Sequence, residues 1–289
     1  MRRASCIARH LTRNLHVGPT SAAPESAVLY DVEGYVATIT LNRPTQRNAM
    51  TEELLEGVQK AATRAAADPE VRCVVITGRG KNFCGGANFS GGAVPQRQDV
   101  KVAAGPLVKN EQSMAVYEPF LSLLEIKVPV IGALQGHAVG GGLGLALCCD
   151  IRVCCATAQY GANFVRLGLH PGMATTYLLP RLIGVPKAAE LLLTGRLIDG
   201  TEAERIGLCI AVEGDAEAVL ARAQALAAEI AQNAPVAVRW TKRSLYRHMQ
   251  WDVRNAAWDE AQLQSRTLET DDFREGAAAL LQKRAPRFE

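Results

Sequence analysis

The segment Gln135-Gly136-His137-Ala138-Val139-Gly140-Gly141-Gly142-Leu143-Gly144 constrains this chain most. It follows an apolar strand-like run, Val128 to Leu134, and precedes a second short apolar run, Leu145 to Cys149. Three consecutive glycines let backbone approach a neighbour closely and leave N–H groups free where a helix begins. Free amides at a helix start favour negative charge. The segment therefore predicts a strand–turn–helix unit able to hold an oxyanion.

A second glycine-rich loop, Lys81-Asn-Phe-Cys-Gly-Gly-Ala87-Asn88, follows another buried strand, Val71 to Thr77. Loops at the same ends of neighbouring strands can aim two amides at one carbonyl oxygen. Such a pair is an oxyanion hole, worth roughly 3–4 kcal/mol per donor. Neither loop suits nucleotide phosphates: Gly-x-x-x-x-Gly-Lys-Ser/Thr is absent, and no Gly-x-Gly-x-x-Gly follows the first strand.

The remaining pattern places these loops in an α/β body. Tyr35 to Leu41 alternates and is β-branched, predicting a strand. Thr51 is suited to cap a helix that runs to Ala67 and stops at Asp68-Pro69. A helix is expected over 107–124 and a strand over Ile151 to Cys155, with Gly78 to Gly92 as loop and 93–106 as a surface loop. Helices then dominate: 178–182, 186–194, 201–206, 215–231, 235–249, 256–268 and 271–283. Strands alternating with helices imply crossover connections. The expected organisation is a leader over 1–27, an α/β core over 28–200 and a helical region over 201–289.

The leader is read from charge. Residues 1–24 hold Arg2, Arg3, Arg9 and Arg13 and no acid, so of the net +3 the remainder carries −1. That near-neutral remainder offers no nucleic-acid footprint. Ile7, Leu11 and Leu15 fall on one helical face, the amphipathic pattern of a mitochondrial transit peptide, so the expected location is the mitochondrial matrix. No apolar run reaches the roughly 18 residues of a membrane span. The cysteine pairs 148–149 and 154–155 lack metal-ligand spacing and read as buried thiols, so no metal site is expected.

The ordered motifs resemble the crotonase (enoyl-CoA hydratase/isomerase) superfamily. They are Leu41-Asn-Arg-Pro44 with Asn48-Ala49-Met50, Phe83-Cys-Gly-Gly-Ala-Asn88, Gly136 to Gly142 with Cys149-Asp150-Ile151-Arg152, and Leu167-Gly-Leu-His-Pro171-Gly172. Asp271 to Gly276 and Gln282 to Phe288 resemble the family's ending, so the likeness covers about residues 28–288. It implies a spiral of ββα units followed by trimer-forming helices, with homotrimers that pair into hexamers. It implies an acyl-CoA or enoyl-CoA thioester as substrate, coenzyme A being part of that substrate and no separate cofactor. By the resemblance, the oxyanion-hole amides fall on Ala87 and Gly141. Substrate and CoA contacts fall on Arg43, Arg47, Asn88, Gly140, Gly144, Phe164 and Lys283.

The chain departs from the family at the acids. Family hydratases use two glutamates; the matching positions are Gly144 and Phe164. Many family isomerases place an aspartate where Gly172 stands. General acid–base catalysis contributes about 10²–10⁴-fold, and neither glycine nor phenylalanine supplies it. His170 is the candidate replacement, with His137 behind it; Arg166, two residues past Phe164 on a segment expected to be extended, is a candidate substrate contact. The expected function is hydratase/isomerase-type chemistry in fatty or branched acyl-CoA degradation. The alternatives are an acyl-CoA decarboxylase or thioester hydrolase, or a non-catalytic acyl-CoA-binding subunit.

Overall fold

Apolar runs buried on both faces have nothing to offer water, so they become central parallel strands. In the computed structural model, which describes residues 25–87 and 106–288, two such runs form β3 (Cys73–Gly78) and β5 (Val130–Leu134), buried at every position. They sit mid-sheet in the order β1-β2-β3-β5-β7-β9. The others are β1 (Val28–Glu33), β2 (Val36–Leu41), β7 (Ile151–Cys155) and β9 (Ala211–Glu213). Only the β1–β2 hairpin is antiparallel; the other four pairings are parallel.

Each central strand feeds a short one in a second sheet. Its members β4 (Asn82–Cys84), β6 (His137–Val139) and β8 (Tyr160–Gly161) pair in parallel in that order. A helix follows each pair: α2 (Pro106–Leu121) after β3–β4, α3 (Gly141–Leu147) after β5–β6, and α4 (Thr175–Ile183) after β7–β8. This is the repeated ββα arrangement expected of the chain. The small sheet sets the geometry of the site, because β4 and β6 deliver both glycine loops from one edge.

The cap at α1 (Glu52–Ala67) forms as predicted: the Thr51 side chain accepts from the Leu54 amide. Three short strands, β4, β6 and β8, lie inside segments that lack a run long enough to read as a strand. The helical region is α5 (Val185–Thr194), α6 (Gly200–Arg205), α7 (Ala216–Ala231), α8 (Pro235–Tyr246), α9 (Gln250–Thr267) and α10 (Asp271–Gln282). The expected boundary near 200 does not divide the sheet. Strand β9 extends it, and α7 packs across β3, β5 and β7 through Val219, Ala223 and Ala227. Among the described residues no helix is long and apolar enough to cross a membrane. Residues 1–24 of the expected leader, and the surface loop expected over 93–106 up to residue 105, lie outside the described residues.

Candidate active site

Parallel pairing of β4 with β6 matches Asn82 with His137 and Cys84 with Ala138, so the loops 85–87 and 140–142 leave side by side. The approach is too close for side chains. A Cβ on Gly142 would fall on the Cys84 carbonyl oxygen, and one on Gly86 would lie 2.6 Å from the Val139 oxygen and 3.2 Å from the Gly141 nitrogen. Gly86 also has a φ of +79°, a left-handed value that glycine adopts freely. A third segment braces the first loop. Met50 N donates to Gly86 O at 2.8 Å and Gly85 N to Arg47 O at 2.9 Å. Buried Asn48 accepts from Arg43 N and donates to Arg79 O and Asn82 O, tying the Arg43–Met50 turn to β4.

Ala87 and Gly141 emerge from this clamp as neighbours of free amides. Neither N–H donates to an acceptor among the described residues; the ladder of α3 begins with Leu143 and Gly144, both donating to Gly140 O. Among the described residues, then, two amides without an acceptor lie in adjacent loops. Asn88 lies outside the described residues. Gly140 donates to Gly161 O at 2.8 Å with a φ of +58°, which turns the chain into α3.

The positions that lack acids are physically filled. A Cβ on Gly144 would meet Met173 Cβ at 2.7 Å and its Sδ at 2.9 Å, and one on Gly141 would fall on Met50 Sδ. A Cβ on Gly172 would fall on the Tyr117 hydroxyl, with Gln264 Nε2 at 2.8 Å. Phe164 is buried, in a short 3-10 helix, Asn163–Leu167, directly after β8. The groups found at these three positions are thus thioether, phenol and hydrocarbon. Cys84, nearest of the thiols to the loops in sequence, is pushed up to about 12 by burial, so it stays protonated and is no nucleophile.

Helix α9 braces these positions. Tyr117 Oη donates to Gln264 Oε1 at 2.6 Å, and Gln264 Nε2 donates to His170 O at 2.9 Å. His170 N donates to Thr267 Oγ1, and its Nδ1 lies 2.7 Å from Pro171 O. Met173 and Ala174 both adopt left-handed φ values, +64° and +56°. Two such non-glycine residues cost roughly 1–3 kcal/mol each unless the surroundings hold them. Glu260 supplies the hold. Its Oε1 accepts from the Thr176 amide at 2.7 Å and from the Thr176 hydroxyl, capping α4, which has no side-chain cap of its own.

That cap has a cost. Glu260 is 2% exposed and its Oε2 is buried without a hydrogen-bond partner. Burial pushes its carboxyl from 4.5 up to about 7, against the pull of the Thr176, Ala174 and Thr175 groups. The folded state therefore binds this proton more tightly than the unfolded chain. The stability it contributes is full below about pH 4.5 and is lost as pH rises to about 7, an amount on the order of 3 kcal/mol. Glu260→Gln keeps an acceptor for Thr176 and removes the charge. It is expected to flatten the dependence of Tm on pH between about pH 5 and pH 8 and to raise Tm at the upper end, as read by thermal melts. A variant that tracks the native profile contradicts this assignment.

The other predicted residues fall in different places. Arg43 is committed to Glu25 O, Asn42 O and Glu53, while Arg47 is exposed and left-handed at the end of the Pro44–Gln46 turn. Lys283 is exposed at the left-handed end of α10, far along the chain from both loops. Arg166 does not extend toward the site. Its segment is a 3-10 helix rather than a strand, and its Nε donates to Thr194 O. His137 accepts from the Gln159 amide through Nδ1, a structural role. Asp150 accepts from Val130 N and from Lys242, which ties the start of β5 to α8. A cleft of about 1020 Å³ lies beneath α8 and α9, lined by residues such as Leu121, Tyr246 and Arg254; neither glycine loop lines it. Tyr117, Met173, Glu260 and Gln264, which pack at or brace the family's acid positions, lie outside the residues that the motifs single out.

The Enoyl-CoA hydratase/isomerase family model matches residues 31–289. A probable enoyl-CoA hydratase of Mycobacterium leprae is 36% identical over 259 residues, covering 89% of this chain and 96% of that protein. The mouse enoyl-CoA hydratase domain-containing protein 2, mitochondrial, is 35% identical over 257 residues, covering 88% of this chain and 84% of that protein. The crystal structure of an enoyl-CoA hydratase from Mycobacterium avium subsp. paratuberculosis superposes with a TM-score of 0.79 at 27% identity, covering 92% of this chain and all of that one. Likeness of this length in both sequence and fold makes the chain a member of the crotonase, or enoyl-CoA hydratase/isomerase, family, whose reactions run on acyl-CoA thioesters.

Proposed function

We propose that this protein seats a thioester carbonyl oxygen on the Ala87 and Gly141 amides and forms an enolate by a step that needs no carboxylate, the decarboxylation of a malonyl-type CoA ester. One observation carries this reading: among the described residues the Ala87 and Gly141 amides have no acceptor, and at the three positions where the resemblance puts acids Met173 fills the space at Gly144, Tyr117 fills the space at Gly172 and a buried Phe164 stands at the third. Water addition needs an acid and a base around one water. Loss of CO2 needs only that the electron pair left by the broken C–C bond be accepted as an enolate, which two amide donors stabilise.

Binding is testable apart from chemistry. A saturating non-reactive acyl-CoA, at about 100 times its Kd, is expected to stabilise the protein by about 2.7 kcal/mol, a Tm rise of roughly 5–11 °C for a chain of this size. No shift with any acyl-CoA would remove the thioester reading.

The wider reading is a trimer or hexamer in the mitochondrial matrix. Support for assembly comes from large apolar side chains left exposed on α5 and α8, Leu193 at 77%, Leu245 at 67% and Trp240 at 56%. Support for location comes from the acid-free arginine-rich leader and from the mitochondrial designation of the mouse relative. Light scattering giving a single chain, or a reporter behind residues 1–27 that stays cytosolic, would contradict these.

A further inference from the structure

Two thioethers meet at the glycine that offers the second amide. Met50 pairs with Ala87 across an isolated parallel β-bridge, and its own amide donates to Gly86 O at 2.8 Å. Its sulfur stands where a Cβ on Gly141 would go, and Met173 Sδ lies 3.2 Å from the same point. At a helix start the free N–H groups and the Cα–Cβ direction both point toward the N-terminus. A group at the Cβ position of Gly141 therefore stands beside the free N–H of that residue. Met50 thus leaves the backbone at one donor and covers the other.

The two side chains differ in how far they yield. Met173 lies along the first turn of α3. A Cβ on Gly144, on the same helix face as Gly141, would meet its Cβ at 2.7 Å, its Sδ at 2.9 Å and its Cγ at 3.3 Å. Met173 is 2% exposed and holds a left-handed backbone. The segment is tied on either side, by the Thr175 hydroxyl donating to Gly172 O and by the Thr176 amide donating to Glu260. Met50 is half-buried, and three rotatable bonds let its sulfur shift while its backbone stays on Gly86.

Building on the thioester seat proposed for Ala87 and Gly141, we infer that Met173 is the fixed wall and Met50 the yielding wall of a size filter. The filter admits an acyl group of malonyl or methylmalonyl size and turns away longer unbranched chains. A small group beside the seated carbonyl has only to push the end of Met50 aside. A longer chain that follows the face of α3 runs into Met173, which moves only if the left-handed pair Met173–Ala174 is remade.

Saturated acyl-CoAs from propionyl to octanoyl read the filter by calorimetry, and none of them carries a carboxylate to lose. In an open apolar pocket each buried methylene tightens binding by about fourfold. The native protein is expected to show the reverse, with propionyl-CoA bound at least 10-fold more tightly than octanoyl-CoA, the order of discrimination that a closed apolar pocket supplies (roughly 10–200-fold). Met173→Gly, which removes the fixed wall and suits a φ of +64°, is expected to narrow that ratio by about 10-fold or more. Met50→Ala is expected to narrow it less, and the double variant to invert it. Met50→Leu, which keeps the bulk, is expected to keep the native order. Each variant is first checked to be folded by its melt, and either single variant serves if the other does not fold. Octanoyl-CoA bound by the native protein as tightly as propionyl-CoA overturns the filter. So does a native ratio in folded Met173→Gly or folded Met50→Ala. Failure of every acyl-CoA to bind the native protein instead removes the thioester seat on which the filter rests.

Discussion

Gly142→Ala is expected to disable both folding and binding. Its Cβ would fall on the Cys84 carbonyl oxygen, a backbone atom at the end of β4 that no side-chain rotation can move. Relief requires parting β4 from α3, and overpacking of this kind costs roughly 3 kcal/mol, a Tm loss of roughly 6–12 °C. The same separation pulls the Ala87 amide away from that of Gly141, so the acyl-CoA-induced shift is expected to vanish even where the variant still folds. Gly214→Ala is the control. Nothing lies within 4 Å of its Cβ position, and its Tm is expected to stay near native, within about 0.5 kcal/mol of stability. Equal effects from the two would mean that the loop clamp is not the element that matters.

Restoring the hydratase glutamates is expected to fail until the wall is opened. Gly144→Glu with Phe164→Glu supplies both family acids, yet the new Cβ at 144 meets Met173 Cβ at 2.7 Å. That atom is fixed by a strained backbone and by the Glu260 cap, so it does not swing aside. Adding Met173→Gly removes the obstructing atom and also relieves a φ of +64° that glycine tolerates. The double variant is expected to leave crotonyl-CoA absorbance flat. The triple variant is expected to hydrate it faster by about 10²–10⁴-fold, the range general acid–base catalysis supplies. Strong turnover from the double variant would show that Met173 does not close the acid position.

These two expectations mark what the chain discloses by itself. The strand–loop–helix around Gly140–Gly142 is legible because a buried apolar run, three glycines and a short apolar helix leave few other solutions. The pairing with Phe83–Ala87 is legible from order and from the family likeness. The short strands β4, β6 and β8 are not: two or three residues carry no periodicity, and their pairing comes from crossovers far apart in sequence. The residues that fill the vacant acid positions are hidden for a similar reason. Tyr117 sits on α2 and Gln264 on α9, 147 positions apart, and each reads as an ordinary helix position until the two helices meet. Glu260 resembles any surface acid, and only its burial reveals a cap. Arg166 bonds Thr194 O because the Asn163–Leu167 turn winds as a 3-10 helix where an extended segment is expected.

The most direct measurement incubates the native protein with crotonyl-CoA and methylmalonyl-CoA together and follows all thioesters by mass spectrometry. Two amides without an acceptor, and no carboxylate at the family's acid positions, predict propionyl-CoA from the malonyl-type ester and unchanged crotonyl-CoA. Rapid formation of 3-hydroxybutyryl-CoA, with methylmalonyl-CoA left intact, would contradict it.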